Sequence, residues 1–168
     1  MKTLMTILLA LAALFPAASP AQEAAGRVLV ATGSVSIDRG LQTLIVRAGT
    51  PVFAGDTLRL GPQSNAQLRF TDDSIVALGP DTTFQVTEYA FERVPAAAQR
   101  AFFSLLAGGM RTITGLVGHA NPSNYRVQTS TLSVGIRGTG FSACHDCTSV
   151  AGEFLPGTSV AFSEGAGY

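Results

Sequence analysis

The sequence predicts an all-β protein: a curled antiparallel structure with one short helix. Three observations carry that expectation. Apolar residues recur with a period of two, as at Leu58 and Leu60 or at Ala66, Leu68 and Phe70, with Thr57, Arg59, Gln67 and Arg69 between them. Gly, Asp and Pro interrupt this pattern at intervals of roughly 8–12 residues, the rhythm of short strands joined by tight turns. Charged residues make up 13% of the chain, against roughly 25% in an average domain, so Thr, Ser, Gln and Asn are expected to build the solvent faces. A roll, a sandwich and a solenoid-like stack remain open as architectures.

The chain opens with Lys2, an apolar run over residues 4–15, and Ser19-Pro20-Ala21. A basic start, an apolar middle and small residues at the end predict a signal peptide, residues 1–21, cleaved after Ala21. The run falls short of the roughly 20 residues a spanning helix needs. No Cys follows it, so a lipid anchor at this site is not expected. The expected location is the periplasm or the exterior, with no stable membrane insertion after cleavage. Residues 22–26 are expected to be a flexible leader, and residues 27–168 a single domain large enough to bury a core.

Val28, Val30, Val35 and Ile37 predict the first strands, ended by Asp38-Arg39-Gly40. Leu44-Ile45-Val46, Leu58-Leu60, Ala66-Phe70, Ile75-Leu78 and Phe84-Val86 continue the series. Pro95, three alanines and Gly108-Gly109 predict the helix near residues 96–106, with a buried strand as the competing assignment. A strand at 110–117, a polar loop at 118–124, strands around Tyr125-Thr129 and Ser133-Ile136, and a last strand at 157–164 complete the reading.

Composition excludes several functions. Lys2 is the only lysine, and 11 basic residues face 11 acidic ones, so no basic face is expected for nucleic acid or anionic lipid. Ser104, Ser123, Ser130, Ser133 and Ser142 lack the G-x-S-x-G setting, and no carboxylates are usefully paired. An enzyme is therefore not expected, nor a catalytic residue, cofactor or metal.

Cys144-His145-Asp146-Cys147 is the sharpest local motif. In an oxidising compartment Cys144 and Cys147 are expected to form a disulfide. So small a ring contributes about 2 kcal/mol at most, so its expected role is to shape a hairpin or loop. A redox pair would want a helix N-terminus, and haem attachment would want His where Thr148 stands. Zinc would need Cys144, Cys147, His145 and distant His119 together. Gly55-Asp56 and Asp72-Asp73 are expected to serve turns rather than calcium, because neither has EF-hand spacing. Arg137-Gly138-Thr139-Gly140 lacks the Lys-Ser/Thr of a phosphate loop and is expected to be a bulge, with Arg137 paired to a turn aspartate.

Several spacings together resemble the FecR domain. They are Gly33-x-Val35, Val52-x2-Gly55-Asp56-x-Leu58, Ala66-x-Leu68-x-Phe70-x-Asp72-Asp73-Ser74 and Leu78-x-Pro80-x-Thr82-x-Phe84. Gly108-Gly109-x-Arg111, Tyr125-x-Val127-x-Thr129 and Arg137-Gly138-Thr139-x-Phe141 extend the resemblance over residues 26–142. The family's usual turn is Asp-Gly-Ser, where this chain has Asp72-Asp73-Ser74; Asp tolerates a left-handed backbone better than most residues. The family's namesake, an iron-transport regulator, carries a sigma-factor-regulating segment and a transmembrane helix, and this sequence shows neither. The resemblance thus implies a sensing or scaffolding fold exported alone. A binding, sensing or scaffold role is expected, with an envelope protein or glycan as partner and strand addition as the mode. A carbohydrate- or cell-wall-binding module and a thiol-disulfide protein using Cys144 and Cys147 are the alternatives.

Overall fold

The computed structural model describes residues 22–92, 94–135, 140–148 and 154–163. The signal peptide and the Arg137-Gly138-Thr139 step lie outside these residues. Eight strands come first: β1 (Gly26–Thr32), β2 (Val35–Arg39), β3 (Gln42–Ile45) and β4 (Pro51–Val52), then β5 (Thr57–Leu60), β6 (Asn65–Phe70), β7 (Ile75–Leu78) and β8 (Thr83–Ala90). They form two antiparallel sets, β3-β2-β5-β8 and β7-β6-β1-β4. The 14-residue strand β9 (Arg100–Ile113) joins them, because its first half pairs with β8 and its second half with β7.

The strand changes layers at Gly108, which has φ +88°. A Cβ there would lie 2.5 Å from the Thr82 Cα, so glycine is required by both backbone and neighbour. Beyond β9, each layer gains two strands. β10 (Tyr125–Gln128) runs parallel to the first half of β9, and β11 (Ser133–Gly135) pairs with β10. β12 (Gly140–Thr148) runs antiparallel to the second half, and β13 (Phe154–Ser163) pairs with β12. The parallel β9–β10 pair needs a crossover. Helix α1 (Leu116–Ala120) and a 3-10 turn (Pro122–Asn124) supply it.

The all-β antiparallel class is as the sequence predicts: one curled sheet folded into two layers. The helix is elsewhere. Only Ala96–Ala98 form a 3-10 turn in the segment expected to be helical, and Arg100–Ile113 is strand. Ala101, Phe103 and Leu105 point into the core at 1% exposure or less, while Leu106 faces out. Pairing on both sides of β9 overrides the helix propensity of the alanines. The α-helix instead occupies part of the stretch expected to be strand end and polar loop. The leader also stops earlier than expected. Ala25 is buried, its N–H donates to the Val52 carbonyl (2.8 Å), its carbonyl accepts from Thr71 N–H (2.9 Å), and Gly26 opens β1.

Phe103 centres the core. Its ring lies 4.9 Å from Phe70, 5.4 Å from Phe84 and 5.4 Å from Tyr125. Such pairs add about 0.5–1.5 kcal/mol each beyond the area they bury. No helix among the described residues is long and apolar enough to cross a membrane.

Candidate functional site

The two aspartate turns are structural joints. Asp56, in the β4–β5 connection, follows Gly55 at φ +92° and is almost fully buried. Its Oδ1 accepts from Arg39 Nε (2.8 Å), and its Oδ2 accepts from Arg39 Nη2 (2.7 Å) and from Phe53 N–H (2.9 Å). The Arg39 guanidinium lies 4.4 Å from the Phe53 ring centroid. The bond from Asp56 raises the Arg39 pKa further above its ordinary value. This fork-to-carboxylate geometry is the strong form of an ion pair.

Asp72 is a deeper hub, at 0% exposure in the β6–β7 turn. Its Oδ1 accepts from Ser74 Oγ (2.7 Å), Ser74 N–H (3.2 Å) and Tyr89 Oη (3.0 Å), and its Oδ2 accepts from Val117 N–H (3.4 Å). Its own N–H donates to Tyr89 Oη (2.9 Å), and its carbonyl accepts from Leu116 N–H (2.8 Å). One residue thus ties a turn to β8 and to α1. Gly115 makes the approach feasible, since a Cβ there would collide with the Asp72 carbonyl and lie 2.5 Å from Ser74 N. Burial, and then the Asp72 charge, push the Tyr89 hydroxyl well above its ordinary pKa. Burial does the same to Tyr125, whose Oη bonds Thr112 Oγ1 (2.6 Å). Asp73 holds φ +65° and pairs with Arg69 (2.7 Å), so the Asp-Asp-Ser turn keeps its left-handed step without glycine.

Cys144 and Cys147 lie at disulfide distance, with Cα atoms 5.6 Å apart. The bond lies inside β12, where that strand pairs with β13 as an antiparallel hairpin. It spans a bulge between His145 and Cys147, where Asp146 takes φ +46° and its Oδ1 accepts from Gly157 N–H (2.7 Å). His145 turns inward at 5% exposure, with Nε2 2.9 Å from Ser130 Oγ and Nδ1 2.8 Å from Thr158 Oγ1. Both ring nitrogens are occupied by hydroxyls. Among the described residues no three His, Cys, Asp or Glu side chains converge as a metal site. His119 sits in α1. Sequence reading missed Tyr89, Gly115, Arg39 and the hydroxyls around His145, because each acts across strands that sequence spacing does not bring together.

The feature most open to a partner is an edge. The first layer ends on β3 and β11, the second on β4 and β13. Strands β4 and β11 have two and three residues. The four-residue β3 adjoins the Asp38–Arg59 ion pair on its neighbours. β13 has ten residues and carries no charge. On its core face Phe162 is 58% exposed, 6.0 Å from the buried Phe141, and Val160 packs partly against the core.

Comparison with known proteins adds a family. No curated protein and no solved structure matched the chain. A family model described as FecR protein matches residues 56–158. The matched stretch contains the Asp72 hub, the layer change at Gly108 and the Cys144–Cys147 bond, while the Gly33-x-Val35 opening precedes it. It covers more than half of the chain, and this protein therefore belongs to the FecR family.

Proposed function

We propose that this FecR domain is a non-catalytic binding module of the bacterial envelope, exported by its N-terminal segment, that takes an extended protein segment onto the free edge of β13. The observation that carries the reading is the charge-free edge from Thr158 to Phe162, beyond Pro156 and the bulge in β13, with Phe162 uncovered beside it. Natural sheets usually protect an open edge with charge, bulges or a covering element, and this part of β13 has no charge. Strand addition satisfies the open backbone groups and gives alternate side chains pockets to fill. A protein fits better than a glycan. Sugars stack on exposed aromatic faces, and Phe162 is the only aromatic among the large exposed apolar residues described.

The test is a photo-crosslinking amino acid at Ala161 in intact cells, with a control at Gln42 on β3. A reproducible protein adduct from position 161 alone supports the reading. Equal or absent adducts at both positions overturn it.

A further inference from the structure

Most strand charges in the first layer are paired, while Arg126 on β10 lies over the Phe102 ring at 5.4 Å. Arg59 meets Asp38 (2.6 Å), Arg100 meets Glu88 (2.9 Å) and Arg39 meets Asp56 (2.7 Å). The outer face of the second layer is built differently. Register places Arg27 opposite Arg69, Arg69 opposite Ile75, and Ile75 opposite Ile113. On the next row of the same face, Arg111 stands opposite Ala77. Opposed residues share a face, as do residues two apart on one strand.

No acidic residue occurs in β1, β6, β7 or β9. Asp73, in the turn, answers Arg69. Arg27 and Arg111 have no ion-pair partner among the described residues. Like charges directly opposite each other, as at Arg27 and Arg69, are unfavourable on their own. Ile113 is 49% exposed and Val30, also on this face, 48%. The Arg27–Arg69 end opens into a surface cleft of about 480 Å³ that Gly49, Pro51 and the acidic Asp73 and Glu92 also line.

We infer that this face docks a protein segment rich in both carboxylate and aliphatic side chains. Its carboxylates meet the forks of Arg27 and Arg111, and its aliphatic groups cover Ile75 and Ile113. Guanidinium forks match carboxylates bidentately. Between the β1 and β9 arginines the face carries Arg69 and Gln67 on β6 and the apolar Ile75 and Ala77 on β7, and a strongly hydrated acidic glycan would leave those apolar groups uncovered. Nucleic acid needs a broader basic surface than three arginines on a chain of zero formal charge. This surface is separate from the β13 edge, with β12 between Arg111 and that strand.

The test is fluorescence anisotropy on the full mature chain with a labelled peptide of alternating glutamate and leucine. Polyglutamate and polygalacturonate serve as comparison probes. Saturable binding that weakens with salt is expected, falling about tenfold for Arg111→Glu or Arg27→Glu and less for Arg111→Gln. Arg59→Glu in the first layer should bind as the parent does. Circular dichroism checks that each variant is folded. Absence of saturable binding, reversal variants that bind normally, or equal binding of polyglutamate or polygalacturonate would each overturn the inference. Because these variants leave β13 untouched, crosslinking from position 161 reports separately on the edge.

Discussion

Replacing Asp72 with alanine strips the acceptor from Ser74 Oγ, Ser74 N–H, Tyr89 Oη and Val117 N–H at once. Tyr89 Oη keeps Thr71 Oγ1 at 3.0 Å, but the Ser74 hydroxyl, on a residue at 0% exposure, has no other partner among the described residues. A buried donor left without a partner costs about 1–3 kcal/mol, and a bond to a charged group about 1.5–3. The hub as a whole should therefore cost about 3–5 kcal/mol, a large part of the roughly 5–15 that holds a domain of this size. Asp72→Asn keeps an oxygen for Ser74 and Tyr89 and turns an amide toward Val117 N–H, so it should cost about 1–2 kcal/mol. Urea unfolding of the oxidised protein, followed by circular dichroism with both midpoint and slope fitted, measures the two. If Asp72→Ala cost under about 1 kcal/mol, or if alanine and asparagine cost the same, the hydrogen-bond account of the hub would be wrong.

Three further outcomes follow from the same structure. Gly115→Ala should destabilise by about 2 kcal/mol or more in the same urea experiment, because its methyl group meets backbone rather than a movable side chain. Tyr125 is fully buried with its pKa raised, so its contribution is complete below the unfolded value near 10 and is lost as pH climbs toward the folded one. Stability measured from pH 8 to 12 should fall above about pH 10, by up to about 1.4 kcal/mol per unit from this residue, and Tyr125→Phe should flatten that fall. Replacing Cys144 and Cys147 together with serine should cost about 2 kcal/mol at most, and a thiol assay on the denatured, unreduced parent should find no free thiol.

The class of the fold was legible because strand alternation is a local signal. Leu58, Leu60, Leu68 and Phe70 are buried, and Arg59 and Arg69 exposed, as the period of two requires. Residues 96–106 were ambiguous because alanine-rich propensity and strand pairing compete, and only the neighbours β8 and β10 decide. The turn chemistry of Gly55, Asp56, Asp72 and Asp73 was legible by residue type, but its partners were not. Asp56 finds Arg39 seventeen positions away, and Asp72 reaches Val117 across forty-five. The disulfide could be named from C-x-x-C, yet its place inside a bulged strand could not, since a bulge is a property of the pair β12–β13. Arg27 and Arg111, without ion-pair partners among the described residues, were invisible for a similar reason, because neutral net charge says nothing of how charges are shared between faces.

Strand β9 also sets an order of events. Before it exists, the first eight strands can make only two separate four-stranded sheets, each ending on an open flank at β7 or β8. One segment closes both flanks, and Gly108 lets it do so without a break in the chain. A chain emerging from its N-terminus therefore has no continuous sheet until Ile113 has appeared. Everything after that point is added to a seam already made.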